Sequence, residues 1–383
     1  MVTLLNSPFY TSVNSLFYNI NTNSVEDFTE RGISDLKSGK IVTPLPPKQT
    51  FLDDPLRVLR AIRFGARFGF ILDEDLKLAA ADDDVRAAIA EKISRERVGH
   101  EIGLMISGNQ PTKAMMYVEE LHLFWSVFSL PSEFDPPVPE KCDRLCVSYM
   151  RSTDRLLELI GGSFFTDDQR RLCLYSALFL PFRHTVYRDK KKKIPVVSYI
   201  FRNSLKLKSS DAEAVINLHK TLDKFLSLMP FFTSEYDAES IEVSWKRESA
   251  DISSSSKLRV LTGLLLIDIK EFWRVALVLS VLLYPVDISC STESAPSELV
   301  KRTEIFKRIE DEILKLGLEN VWEMKPLLNG KDIMNILDLK TGGPVVREWQ
   351  QRLLEWQLAH PSATSDACID WMKESCSKRS RTN

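Results

Sequence analysis

The stretch that decides the fold runs from Thr50 to Phe70 and reads TFLDDPLRVLRAIRFGARFGF. On a helix turning about 100° per residue, its apolar side chains fall on one face and its charged side chains on the other. The apolar face holds Val58, Leu59, Ile62 and Ala66 with Leu56 at its edge, and the polar face holds Asp53, Asp54, Arg57, Arg60, Phe64 and Arg67. Pro55 suits a first helical turn, where its missing N–H is no loss, and the aspartate before it can cap the helix. The stretch therefore predicts a helix with one face in a core and a wall of acids and arginines on the other.

The polar wall has two interpretations. It could be a solvent-exposed face laced with ion pairs three and four residues apart. Alternatively, Asp54 and Arg57 could read the edge of a nucleobase together. Cytosine and adenine present an amino donor beside a ring-nitrogen acceptor, whereas uracil and guanine present the opposite pattern. Because a carboxylate only accepts and a guanidinium only donates hydrogen bonds, this pair would suit C and A and mispair with U and G.

Two motifs, DDPLRVLRAIRFGARFGF from Asp53 and SRERVGHE from Ser94, resemble the neck of the class II tRNA nucleotidyltransferases (the CCA-adding enzymes) in their plant-like form. The family's template motif is E-D-x-x-R, and here it reads Asp53-Asp54-x-x-Arg57, with the first acid one methylene shorter. The resemblance extends from about Val13 to about Glu374 and is also specific in KPLLNGKDIMNILDLKTGGPVVREWQQRLLEWQLAHP. It implies nucleotide binding by Asp53, Asp54, Arg57, Arg60 and Asn14, and bracing of the neck by the E-R-x-x-x-E residues Glu96, Arg97 and Glu101.

The function that the resemblance implies is addition of C, C and A to a tRNA 3′ end. It implies tRNA, CTP and ATP as partners, Mg²⁺ as cofactor, no membrane and no obligate protein partner. Two alternatives stay open. One is a poly(A) polymerase of the same superfamily, which would use ATP alone, and the other is a non-catalytic, truncated RNA-binding product.

The residues before the neck resemble only the end of the family's catalytic head. VNSLFYNINTNSVEDFTERGISDLKSGKI, from Val13, matches the second half of motif B and motif C, while Pro8–Ser12 replaces the R-R-D-x-T that normally opens motif B. The family's G-G-x-V-R-D loop and its strand-borne D-x-D carboxylate pair do not occur upstream. Nucleotidyl transfer needs two close carboxylates to hold a pair of Mg²⁺ ions. We therefore expect a truncated head with neither a catalytic residue nor a metal site.

The remaining acids near the head and neck are expected to lie in turns and at helix starts. They are Glu26, Asp27, Glu30, Asp35, Asp73, Asp75, Asp82, Asp83 and Asp84.

Composition places the chain among globular proteins without a strong charge. It has 383 residues, 44% of them hydrophobic, and a formal net charge of −2, so RNA contact has to come from local basic patches. The six cysteines lack the paired spacing of a zinc site, and reduced thiols are expected. Leu261–Tyr284 is apolar but interrupted by charges, which predicts a buried helix rather than a membrane span. An intracellular protein is expected, with cytoplasm, nucleus and organelle left open.

The predicted fold is mainly α, with a small β-containing head remnant followed by helical neck, body and tail. Proline-rich and polar loops divide the chain into 1–47, 48–134, 135–290 and 291–383. The resemblance implies that these segments are a head remnant, a neck with the nucleotide template, a helical body and a tRNA-binding tail.

Two places could contact RNA. The densest basic run contains Lys190, Lys191, Lys192 and Lys193. It is either solvated surface or a phosphate contact. In the tail, Gly342-Gly343-Pro344 opens a helix, and Lys331 and Arg347 could flank an anion there, although the motif is weak evidence and simple turn chemistry also explains it. The tail tryptophans Trp349, Trp356 and Trp371 are expected to pack a core rather than to stack bases.

Overall fold

The fold is mainly helical, as predicted, with three small two-stranded sheets among the described residues. The computed structural model describes residues 11–161, 165–233, 241–246, 253–286 and 298–379. The replaced front of motif B around Pro8 and the predicted boundary at residue 290 lie outside these ranges.

The chain forms two units, Met1–His219 and Lys220–Asn383, and the division falls within one long helix, Ser209–Thr233. The four-part division drawn from composition cuts the chain elsewhere and stays a prediction.

The first unit contains all six strands and most of the helices of the described residues. The strands are β1 (Leu16–Asn19), β2 (Ser24–Asp27), β3 (Lys40–Ile41), β4 (Ile71–Leu72), β5 (Val186–Asp189) and β6 (Lys192–Pro195). The helices are α1 (Gly32–Ser38), α2 (Pro47–Asp53), α3 (Leu56–Phe68), α4 (Glu74–Ala80), α5 (Asp83–Lys92), α6 (Arg95–Ile106), α7 (Pro111–Glu120), α8 (Phe124–Val127), α9 (Cys142–Ile160), α10 (Asp167–Leu178), α11 (Val196–Tyr199) and α12 (Ser209–Thr233).

The segment before the neck contains β-strands, as predicted for the head remnant. β1 and β2 pair antiparallel, α1 follows, and β3 then pairs in parallel with β4 beyond the neck helix. Ile41 of β3 pairs with Leu72 of β4, the strand that follows α3, and both side chains are fully buried. This pairing fixes the segment next to α3.

The organising stretch is broken into two helices, which corrects the placement of Thr50–Asp54 on the same helix as Arg57. α2 ends at Asp53, Asp54 is extended with φ −142° and ψ 96°, and α3 begins at Leu56. The residue before a proline is sterically excluded from the helical region, so Pro55 forces this break. The apolar face behaves as predicted, because Val58, Leu59 and Ile62 are completely buried.

Helix α6 is held at a close approach to the residues after α11. A Cβ on Gly99 would lie 1.7 Å from the backbone oxygen of Leu205, so only glycine fits there. Arg95, at the start of α6, donates to the backbone oxygens of Ser126 and Ser204. These contacts fix where α6 lies, and α6 in turn packs against α3.

The basic run lies in a β-hairpin that the sequence did not predict, and the next helix begins at Val196. β5 and β6 pair antiparallel with Arg188 opposite Lys193, and Lys190 takes φ 56° in the turn. Val186, Tyr187 and Ile194 favour strands, but the turn lacks the glycine or asparagine that usually marks a hairpin.

The second unit is helical in its described residues. Its helices are the end of α12, then α13 (Ser254–Ile269), α14 (Trp273–Leu283), α15 (Glu298–Lys315), α16 (Gly330–Ile336), α17 (Pro344–Ala359) and α18 (Ser365–Arg379). Trp349 and Trp356 are buried in the cluster of α16, α17 and α18, and Trp371 packs against it, which confirms their predicted core role.

The apolar stretch Leu261–Tyr284 is divided between α13 and α14, and Val275–Leu282 is buried throughout. In the part of the chain that the structure describes, no helix combines the length and apolar character needed to cross a membrane.

Candidate functional site

Asp54 and Arg57 lie at the junction of α2 and α3, both half-buried. One carboxylate oxygen of Asp54 accepts from the backbone N–H of Leu56 at 3.3 Å, so it caps the start of α3 as predicted. The Arg57 guanidinium donates to the backbone oxygen of Thr50 at 3.3 Å. The break before Pro55 thus places an acceptor and a donor next to each other at a helix start.

The second carboxylate oxygen of Asp54 is held by Arg97 of α6, at 3.3 Å from its Nη2. In the described residues no ion pair joins Asp54 to Arg57 directly. An ionised carboxylate offers about four lone-pair sites and a guanidinium five N–H donors, so both groups keep capacity for a base after these contacts.

Glu101 supports the other end of the polar face of α3. Its side chain is only 7% exposed and accepts from Arg63 Nε at 2.6 Å, while Arg60 Nε lies 3.9 Å from its other oxygen. Arg63 was not among the predicted residues, although its spacing of three from Arg60 continues the arginine row. Glu96 of the same motif is exposed on α6. Of the three expected bracing residues, Arg97 forms an ion pair with Asp54 at the α2–α3 junction, and Glu101 forms one with Arg63 of α3.

Arginines at 57, 60, 63 and 67 line α3 at intervals of three or four residues. Arg63 also lies over the ring of Phe64, with its Cζ 4.2 Å from the centroid. In the ion pairs given above, Glu101 is the acidic partner of Arg60 and Arg63, whereas Asp54 pairs with Arg97 of α6. The surface therefore suits an anionic ligand that also offers a flat polar edge, which describes a nucleotide.

Asp53 and Asn14 are two further residues that the sequence predicts to bind the nucleotide. Asp53 is the last residue of α2 and is exposed. Asn14 is half-buried in a short 3-10 turn, Ser12–Asn14, just before β1. Among the described residues no hydrogen bond joins the Asn14 side chain to Asp54, Arg57 or Arg60.

The acids of the head segment serve as structural acceptors. Asp35 accepts from Ser12 Oγ at 2.6 Å and from Arg31 Nε at 3.0 Å. Asp27 accepts from the N–H groups of Thr29 and Ile33. Slight desolvation acts to raise its pKa, but these hydrogen bonds outweigh it and hold the pKa of Asp27 below its usual value.

The acids that follow α3 lie at helix starts, as predicted. Asp73 accepts from the backbone N–H of Asp75 at the start of α4, and Asp82 from that of Asp84 at the start of α5. Within the described ranges, no three His, Cys, Asp or Glu side chains lie together as a metal-binding group. The described acids of the head and neck therefore do not fit a two-metal centre.

The predicted RNA-binding lysines, Lys190–Lys193, are all exposed at the tip and on the second strand of the β5–β6 hairpin. In the tail, Lys331 and Arg347 are exposed in the first turns of α16 and α17, which pack against each other. The start of α16 is already capped, because the Asn329 side chain accepts from the N–H groups of Lys331 and Asp332.

Comparisons with known proteins relate the whole chain to one group of enzymes. A tRNA nucleotidyltransferase of Schizosaccharomyces pombe is 31% identical over 367 residues, which cover 94% of this chain and 68% of the relative. The mitochondrial CCA tRNA nucleotidyltransferase of Saccharomyces cerevisiae is 31% identical, covering 94% of this chain and 67% of the relative. The chain thus spans about two thirds of the length of these relatives. No family model matches the sequence.

The fold agrees with these relatives. The crystal structure of a Bacillus stearothermophilus CCA-adding enzyme with CTP superposes with a TM-score of 0.60 at 16% identity, covering 98% of this chain and 74% of that one. The identity to the two yeast proteins extends over nearly all of the chain, so it includes the neck with its template motif and the tail. The chain belongs to the family of CCA-adding tRNA nucleotidyltransferases.

Proposed function

We propose that this chain acts in the addition of C, C and A to tRNA 3′ ends, with Asp54 and Arg57 selecting CTP and ATP. The observation that carries the proposal is the pairing of a half-buried acceptor and donor at one helix start, inside the E-D-x-x-R-like motif of a family member. Asp54 would accept from the exocyclic amino group of the base and Arg57 would donate to its ring nitrogen. Arg60 and Asp53 would contact the rest of the nucleotide, and Asn14 would contact it from the head segment.

Binding of tRNA is proposed for the exposed lysines of the β5–β6 hairpin and for Lys331 and Arg347 in the tail. With a formal net charge of −2, the chain has to concentrate its positive charge in such patches to hold a polyanion.

Mg²⁺ is the proposed cofactor of the complete reaction, in which it would activate the attacking hydroxyl and stabilise the triphosphate leaving group. The acids described above do not fit such a site. We therefore assign to this chain base selection and tRNA binding, and expect the metal ligands to come from a segment that carries G-G-x-V-R-D and D-x-D.

The experiment combines the purified chain with tRNA lacking CCA, CTP, ATP and Mg²⁺, with the products resolved at single-nucleotide length. It is run with the chain alone and with the chain fused behind a head segment that contains both motifs. We expect tRNA binding in both cases and ordered addition of C, C and A only with the head. Addition by the chain alone at the rate of an intact enzyme would show a metal site that we have not identified, and addition of A alone would favour a poly(A) polymerase.

Base selection is tested in the fused protein by Asp54→Ala and Arg57→Ala. Each removes hydrogen bonds to a charged group worth roughly 1.5–3 kcal/mol, so selectivity for CTP and ATP over UTP and GTP should fall about tenfold to a hundredfold. Arg67→Ala is the matched control for selectivity, since this arginine is exposed on the same helix and lies outside the proposed pair. Its loss should lower affinity for all four nucleotides without changing the preference among them. Unchanged selectivity in both template variants would refute the assignment.

A further inference from the structure

A cavity of about 290 Å³ lies beside the β5–β6 hairpin, away from the residues assigned to base selection. Its walls come from the loop at 133–135 and from the hairpin. The residues are Glu133, Phe134, Asp135, Val186, Tyr187, Arg188 and Lys193. This volume is at the lower end of the range for small-molecule sites, which suits a single base or nucleotide.

The cavity is built on fixed backbone. The N–H of Asp135 donates to the oxygen of Val186 at 2.8 Å, and the N–H of Val186 donates to the oxygen of Asp135 at 2.9 Å. A single antiparallel bridge thereby joins the loop to β5. The ring of Tyr187 packs edge-on against Tyr199, with 5.6 Å between the ring centroids. A ligand would therefore meet a preformed site.

The lining combines aromatic rings with apposed cations. Phe134 and Tyr187 are both half-buried, so part of each ring stays accessible. Arg188 and Lys193 are Cα partners in the β5–β6 register, which directs both side chains to the same face of the hairpin. Within the described residues neither of these two cations takes part in an ion pair. Aromatic rings near cationic side chains are the combination by which proteins hold single-stranded nucleic acid.

The surroundings favour RNA over a free nucleotide. Five of the six residues from Arg188 to Lys193 are basic, so positive charge continues from the cavity to the hairpin tip. Such a track would contact the phosphates next to a captured nucleotide, which a free mononucleotide lacks. The exposed carboxylates of Glu133 and Asp135 are acceptors only, and they would favour a base with an exocyclic amino group over uracil.

We propose that this cavity binds one unpaired nucleotide of RNA. Its base packs against Phe134 and Tyr187, its phosphate contacts Arg188 and Lys193, and a base with an exocyclic amino group is preferred. The proposal rests on the proposed function, since tRNA is the RNA that the family handles.

The test measures binding of the full chain to two single-stranded RNA probes, one of adenosines and cytidines and one of uridines. CMP is the free mononucleotide for comparison, and we expect it to bind more weakly because it lacks the neighbouring phosphates. The Phe134→Leu and Tyr187→Leu variants keep apolar volume but remove the rings. We expect each to weaken binding of the first probe by roughly five- to hundredfold, as for the loss of one base-stacking contact. Phe28→Leu, at an exposed ring in the β1–β2 segment, is the control.

A second comparison separates the cavity from general charge. The double variants Arg188→Ala/Lys193→Ala and Lys190→Ala/Lys191→Ala remove the same charge from the same hairpin, but only the first pair lines the cavity. We expect the first to weaken binding of the adenosine and cytidine probe more than the second, because only the first removes the cations that contact the captured nucleotide. Ultraviolet cross-links of the bound probe should map to 133–135 and 186–195.

Wild-type affinity in both ring variants, equal effects of the two double variants, or cross-links mapping elsewhere would overturn the proposal. Binding of tRNA by the unmodified chain is measured in the same preparation. If tRNA binds while the cavity variants behave like the parent, the cavity proposal fails and the proposed function stands. If tRNA does not bind at all, the proposed function itself fails.

Discussion

Replacement of Glu101 by glutamine tests whether the neck depends on one buried carboxylate. Glu101 is 7% exposed and its partner Arg63 is 12% exposed, with 2.6 Å between the paired atoms. Removing one member of a buried ion pair costs about 3–5 kcal/mol, because the other charge stays buried. Glutamine can still accept one hydrogen bond, so we expect a loss near 3 kcal/mol. For a unit of this size that corresponds to a fall in melting temperature of roughly 6–12 °C.

Glu96→Gln is the matched control for this experiment. It makes the same chemical change on the same helix, at an exposed residue of the same motif. Exposed substitutions of this kind usually change stability by no more than about 0.5 kcal/mol. Thermal unfolding followed by circular dichroism compares the two variants with the parent. Equal melting temperatures for Glu101→Gln and Glu96→Gln would refute the view that the Glu101 contact holds α3 to α6.

Three further predictions follow from the same unit. Gly99→Ala should destabilise it by at least about 1–3 kcal/mol through a clash with backbone. Gly103→Ala, on the same helix with nothing within 4 Å of a new Cβ, should instead stabilise it by about 0.5–1 kcal/mol; equal effects in urea unfolding would contradict this. Burial lowers the pKa of His219 to about 4. Because the unfolded chain takes up a proton at this histidine at a higher pH than the folded chain, the free energy of unfolding should fall by about 3 kcal/mol as the pH falls from 6.5 toward 4. His219→Gln should flatten that part of the stability profile, and an unchanged slope would contradict the assignment. Replacing Lys190–Lys193 together by alanine should reduce the salt dependence of tRNA binding by about 0.7–0.9 per lost phosphate contact, and an identical slope would mark the lysines as solvated surface.

The sequence predicted local structure better than it predicted contacts between distant residues. The apolar spacing of Val58, Leu59 and Ile62 reports burial directly, because residues three and four apart share one helix face. The contacts of Asp54 with Arg97 and of Glu101 with Arg63 join residues 43 and 38 positions apart, and periodicity carries no information on such pairs.

The errors in local structure also have physical reasons. The break at Asp54 is a consequence of Pro55, but a helical projection treats the stretch as continuous. The hairpin at 186–195 was missed because two lysines occupy its turn, where a glycine or asparagine would have given a signal. The neck motif, by contrast, identified the family by resemblance, and the comparison with the yeast relatives confirmed the family.

The geometry of the neck connects packing with base selection. Arg97 and Glu101 are one turn apart on α6, and they hold the start and the middle of the polar face of α3 through Asp54 and Arg63. Gly99 lies between them, and its approach to Leu205 leaves no room for α6 to slide or rotate. A shift of α6 by one residue would break both ion pairs at once. The orientation of the Asp54 carboxylate, and with it the proposed choice of base, therefore depends on packing at a glycine that contacts no ligand.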